Sequence, residues 1–259
     1  MLARVYVCGR TCIEATGRCF DERAFPARQG RLAWTYLVLE RHRTVTRQEL
    51  IDAVWGDDVP PACERALSAI LSKLRALLEK AGFPEGVIQS MSSSVRLLLP
   101  GAVWIDLETA YADIERANRC LSENDARQAY GWALASYMIA REELLPGEEA
   151  AWLVHKRNEL FALLMQSIDR LILIYTATGN IDMALKFGEE AITRDPLRES
   201  AYRQLMRLHA AGANNGGVVS AFERCCTAFT LHVGGHPSAA TDVAYHEALE
   251  QAATSHSDL

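Results

Sequence analysis

Cations and small residues recur at helical spacing between residues 65 and 80, and this is where the chain could do chemistry. At about 100° per residue, Arg65, Ser68, Ala69, Ser72, Lys73 and Ala76 share one side of a helix, with Arg75 and Lys80 at its flanks. The chemistry is recognition rather than bond breaking. Guanidinium and ammonium groups meet phosphate oxygens and the acceptor edges of bases, and small side chains between them let a helix approach a groove closely. On the other side, Leu67, Ile70, Leu71, Leu74 and Leu78 recur at i, i+3, i+4, i+7 and i+11, the pattern of a buried face. Such a helix could equally be an ordinary solvated one, so the elements that position it have to be read.

A shorter helix precedes it. Thr46 and Glu49 form a T-x-x-E capping box, and Leu50, Ile51, Val54 and Trp55 then supply an apolar stripe. Gly56, Asp57 and Asp58 end this helix. The Pro60–Pro61 pair restarts the chain as the second helix, from about Pro61 to Lys80, with Gly82 as its cap. Upstream, Arg4–Cys8 and Thr11–Glu14 read as strands that pair back, and a third strand is expected at Cys19–Asp21. Residues 28–42 form a helix buried through Leu32, Tyr36, Leu37 and Leu39, with Trp34 at its edge. Arg28, Arg31, Arg41 and Arg43 around it are expected to face solvent or phosphate. Downstream, Val87–Gln89 and Val95–Leu99 read as a hairpin turning through Ser90–Ser94.

The run Val45–Asp58 resembles the second helix and turn of OmpR-type winged-helix domains, and more narrowly those of SARP-type bacterial transcriptional activators. Ser72-Lys73-Leu74-Arg75 stands where that family's recognition helix usually has S-R-L-R. The resemblance implies that the hairpin is the wing. Family members usually carry a glycine pair and an aromatic before its Arg-Leu. Ser94 and Val95 stand there instead, which weakens the expectation of a tight turn.

From Ile105 onward the pattern is helical. Gly179 and Gly212, each ending a helix, are 33 apart, and Ala184 and Ala221 fall near the same place in the helices that follow. This resembles tetratricopeptide repeats, whose helix pairs stack into an interaction surface. Asp195–Met206, together with His236-Pro237-Ser238 and Tyr245–Leu249, resembles the bacterial transcriptional activator domain over about residues 105–250.

Charge divides the same way. Residues 1–100 hold 14 Lys+Arg and 11 Asp+Glu, net +3, whereas residues 101–259 hold 13 and 22, net −9. A mildly basic part joined to an acidic part suits one segment contacting DNA and another contacting protein. Seven cysteines without a secretion signal suggest reduced thiols, and Cys8-x3-Cys12-x6-Cys19 lacks the second close pair that a zinc site needs. No cofactor or metal is expected. Nor is there a G-x-x-x-x-G-K-[ST], G-x-S-x-G or H-E-x-x-H motif, so an enzyme is not expected.

The expected fold is mainly α with a small antiparallel β component. Residues 1–101 form a winged helix-turn-helix and residues 102–259 an all-α, tetratricopeptide-like repeat domain. The expected function is promoter binding by a cytoplasmic transcriptional activator with no membrane contact. Arg65, Ser72 and Lys73 would face bases with Ser68 and Ala69 beside them, and Arg75 and Arg96 would face phosphates. The family resemblance implies direct repeats of DNA, two or more copies side by side as a possible homodimer, and contact with RNA polymerase or its sigma subunit. The alternatives are a protein-interaction scaffold with a degenerate winged helix and, behind it, a small-molecule sensor.

Overall fold

The computed structural model describes residues 3–257. The chain divides into two compact units, one of residues 1–112 with 138–163 and one of residues 113–137 with 164–259.

In the first unit, alternation builds the opening sheet. β1 (Ala3–Tyr6) and β2 (Cys12–Ala15) turn Ala3, Val5, Ile13 and Ala15 into the core and point Arg4 outward. β3 (Arg18–Phe20) pairs with β2, and Val103–Ile105 later returns parallel to β1, a strand the sequence pattern does not announce. The helices and wing strands that follow are α1 (Ala27–Leu39), β4 (Val45–Thr46), α2 (Arg47–Trp55), α3 (Cys63–Lys80), β5 (Ile88–Ser90) and β6 (Ser94–Leu97). The Val103–Ile105 strand is then β7, and α4 (Asp106–Ser122) follows it directly. The two sheets run in the orders β3-β2-β1-β7 and β4-β6-β5.

α1 ends three residues earlier than the sequence reading, at Leu39, and Tyr36 and Leu39 are only partly buried where full burial was expected. Trp34 is fully buried rather than at an edge, because it shares the inward face with Leu37 and Val38 and packs against Phe25 at 6.2 Å. Asp106 fastens the end of β7. Its carboxylate accepts the N–H groups of Val7 and Cys8 at 2.9 Å and of Leu107 at 2.7 Å. Burial nevertheless pushes its pKa up to about 6, outweighing those hydrogen bonds. Residues 138–163 belong to this unit through specific contacts. Trp152 donates its indole N–H to the Ala53 carbonyl at 2.9 Å and meets Tyr36 edge-on.

The second unit is helical. α4 enters it, followed by α5 (Ala126–Ala140), α6 (Ala151–Ala177), α7 (Ile181–Arg194), α8 (Glu199–Ala211), α9 (Asn215–Val233) and α10 (Ala239–Ser257). α6 is long and apolar enough, by length and composition, to cross a membrane, but half of its most apolar stretch is buried inside the protein.

Three of the helix turns share one chemistry. A left-handed residue, Asn124, Gly179 or Ala213, ends a helix. The next N–H reaches back to a carbonyl five residues earlier: Asp125 to Cys120, Asn180 to Tyr175, Asn214 to His209. The same residue then caps the following helix, its side-chain oxygen accepting from Gln128, Met183 or Gly217. Gly179 is therefore matched by Ala213, not by Gly212, whose φ is −94°. Gly216 and Gly217 lie in the first turn of α9, where a side chain at Gly217 would collide with the His209 ring at 2.4 Å.

Arg198 and Tyr202 tie this unit together. Arg198 pairs with Asp169 of α6 at 2.5 Å, and Tyr202 donates to the Pro196 carbonyl. Glu199 holds the start of α10 by accepting from Ser238 and Thr241.

Candidate nucleic-acid interface

The interface begins with the capping box read from the sequence. Thr46 Oγ1 accepts from Glu49 N at 3.1 Å, and the Glu49 carboxylate accepts from Thr46 N at 2.7 Å. Gly56, with φ +58°, then ends α2. α3 starts two residues later than expected, because Pro60 and Pro61 form a turn ahead of the N-cap Ala62.

Leu67, Leu71, Leu74 and Leu78 bury one side of α3 and thereby fix what the other side presents. Arg65, Ser68, Ala69, Ser72 and Lys73 are all exposed. Among the described residues, neither Arg65 nor Lys73 lies within ion-pairing distance of a carboxylate. Ser72 is open to solvent, whereas the Ser68 hydroxyl is engaged. It donates to the Glu64 carbonyl and accepts from Arg47 at 2.9 Å.

Arg75 stands apart from this set. It is half-buried, and its guanidinium donates to the Ile88 carbonyl at 2.9 Å and to Ser90 Oγ at 2.5 Å. It thus fastens β5 to α3. Arg96 lies exposed on β6, opposite Gln89 in the hairpin. The hairpin closes without glycine: Met91 N donates to Ser94 O at 2.8 Å, and no residue from 90 to 94 takes a positive φ.

Arg47 is the positioning residue that the sequence reading missed. Its backbone N–H donates to Ser93 O, and its side chain reaches Glu64 at 2.7 Å and Ser68. One residue thereby links the start of α2, the start of α3 and the wing turn. Its position directly after the N-cap, facing an acidic residue in the next helix's first turn, was the available signal.

The arginines around α1 are not free for phosphate. Arg28 and Arg31 both pair with Glu148, at 2.6 and 2.5 Å. Arg41 pairs with Glu108 at 2.5 Å, and Arg43 with Glu40 and Glu49. Arg28 and Arg43 do face solvent as expected, and what the sequence reading lacked is the carboxylate partners of these arginines: three of the carboxylates lie too far along the chain, or too close to a turn, for helix spacing to pair them.

A helix-turn-helix with an unpaired cationic face on its second helix, followed by a hairpin fastened to that helix, defines a winged-helix DNA-binding protein. Residues 28–93 match the family model described as "Transcriptional regulatory protein, C terminal", and residues 105–249 that of the "Bacterial transcriptional activator domain". The chain belongs to the bacterial transcriptional activator domain family. It combines that domain with an OmpR-type winged helix, as SARP-type regulators do, and is a DNA-binding transcriptional regulator.

Among its relatives is the transcriptional regulatory protein MoaR1 of Mycobacterium bovis (strain BCG / Pasteur 1173P2). It is 23% identical over 232 residues, covering 83% of this chain and 70% of the relative. MoaR1 of Mycobacterium tuberculosis (strain ATCC 25618 / H37Rv) is 22% identical over 223 residues. The fold is that of Mycobacterium tuberculosis EmbR, solved in complex with a low affinity phosphopeptide. The TM-score is 0.84 at 19% identity, over 99% of this chain and 70% of that one.

Proposed function

We propose that this regulator is a cytoplasmic activator that reads promoter direct repeats with α3 in the major groove. The observation that carries the reading is the exposed face of α3, where Arg65 and Lys73, on either side of Ala69 and Ser72, have no carboxylate partner among the described residues. In this assignment Arg65, Ser72 and Lys73 meet base edges, Ser68 and Ala69 allow close approach, and Arg96 meets a phosphate from the wing. Arg75 acts through β5 rather than on DNA. A net charge of +3 over residues 1–100 is modest for lone binding, which favours two copies side by side on repeated sites. The helical repeats, in the acidic part of the chain, then contact RNA polymerase or its sigma subunit.

The test is fluorescence anisotropy on the chain's own upstream intergenic DNA and on genomic fragments, against scrambled duplexes of equal length across a salt series. Preferential binding that survives near-physiological salt is the expected result, with footprinting then giving the repeat spacing. Equal, weak binding to every duplex that vanishes with salt would reduce the interface to nonspecific electrostatics.

A further inference from the structure

The outer face of the β3-β2-β1-β7 sheet carries chemistry that DNA recognition leaves unused. Arg4 stands opposite Glu14, and Glu14 opposite Cys19. Cys12 lies two residues from Glu14 on the same face, and its Sγ is 3.0 Å from Cys19 Sγ. Both thiols are free; Cys19 is exposed and Cys12 partly so. Cys12 and Cys19 are diagonal neighbours across the β2–β3 pair, so closing the roughly 1 Å that separates this contact from a disulfide bond of about 2.0 Å takes side-chain rotation together with a small shift of the edge strand β3. A recess of about 450 Å³, bordered by Arg4, Glu14, Thr16, Gly17 and Arg18, opens at the exposed Cys19.

We propose that Cys12 and Cys19 form a thiol–disulfide exchange site, at which a low-molecular-weight disulfide converts the pair to an intramolecular disulfide. The Cys19 thiolate attacks one sulfur of the small disulfide. A mixed disulfide forms, and the first small thiolate leaves and is protonated by solvent. Cys12 then gives its proton to solvent and attacks Cys19 Sγ; the Cys12–Cys19 bond forms as the Cys19–small-thiol bond breaks, and the second small thiolate leaves and takes a proton from solvent. Two protein thiols are oxidised by two electrons, and one disulfide is reduced to two thiols.

Exposure sets the order of attack. Burial raises the Cys12 thiol to about 12, and hydrogen bonding to Cys19 adds to that rise. Capping Cys19 as the mixed disulfide removes its charge from beside Cys12 and eases the second step.

The test treats the full chain with oxidised glutathione, followed by acid quench, alkylation and tryptic mapping. Cleavage after Arg10, Arg18 and Arg23 places Cys12 and Cys19 on separate peptides, so their bond is read directly. The expected product is the linked pair of peptides, with the buried Cys8, Cys120 and Cys225 still reduced and the link reversed by excess reduced glutathione. Cys12→Ser should stop at a stable glutathione adduct on Cys19, and Cys19→Ser should lose the reaction at Cys12. If Cys12 and Cys19 remain alkylatable while other thiols react, or if the unmodified chain stops at the adduct, the proposal is overturned. The mapping of the unmodified chain decides this even where a variant folds poorly.

Discussion

Around α1, Arg28, Arg31, Arg41 and Arg43 each meet a carboxylate, whereas on α3 Arg65 and Lys73 meet none among the described residues. Both sets lie in the first unit, and both look basic in the sequence. They differ in what an arriving phosphate would have to displace. A paired guanidinium gains little from DNA unless its carboxylate is released, and a half-buried carboxylate released from its partner is costly. An unpaired cation beside small residues keeps its hydration in the free protein and gains through counterion release when it meets phosphate. Local density of Lys and Arg therefore does not distinguish the two sets; pairing with carboxylates does.

The sharpest way to break this comparison is at Glu148, whose side chain is 8% exposed and holds both Arg28 and Arg31. Glu148→Ala leaves two guanidiniums around a vacated acceptor site. Breaking a buried pair costs about 3–5 kcal/mol, but the arginines are 45% and 24% exposed and recover part of that from water, so we expect a loss of about 2–3 kcal/mol. Urea unfolding measures it. The folded variant should bind DNA as the parent does. Full stability with tightened DNA binding and a steeper salt dependence would move Arg28 and Arg31 to the DNA side.

The complementary experiment removes the unpaired set. Arg65→Ala with Lys73→Ala should change folding stability by less than about 0.5 kcal/mol, since neither side chain has a hydrogen bond or ion pair among the described residues. Affinity for the operator should fall, and the salt dependence should flatten by about one unit for each phosphate contact removed. An unchanged slope in the salt series would exclude these side chains from the phosphate backbone.

How much of this was legible in the sequence follows the range of the interactions. The capping box at Thr46 and Glu49, the stripe of leucines on α3 and the alternation of β1 and β2 are set by neighbours within a few residues, and each stands where its pattern places it. The wing hairpin was also legible, although its turn closes without the glycines that tight turns favour. What escaped lies at long range. β7 is three residues long and pairs with a strand about a hundred residues earlier. The partners of Arg28, Arg31 and Arg41 are 67 to 120 residues away along the chain. The repeat spacing was misjudged by one residue because Ala213, not a glycine, adopts the left-handed conformation there. Its asparagine neighbour, which both ends one turn and caps the next helix, was the better marker.

Arg75 tests the comparison from between its two sides, since it sits on α3 yet is paired, not with a carboxylate but with β5. Arg75→Ala removes two hydrogen bonds and leaves the Ile88 carbonyl without that donor, a loss of about 1–2 kcal/mol. If Arg75 acts by fastening the wing, DNA affinity should fall modestly while the salt slope stays that of the parent, because no phosphate contact disappears. Arg75→Lys separates the roles further. Lysine keeps the charge but lacks the planar fork that reaches a carbonyl and a hydroxyl at once. A fastening role predicts that Arg75→Lys resembles Arg75→Ala in both stability and affinity, whereas a phosphate contact predicts that it resembles the parent. Measuring the two variants side by side, by urea unfolding and by anisotropy across salt, assigns Arg75 to the fold or to the DNA.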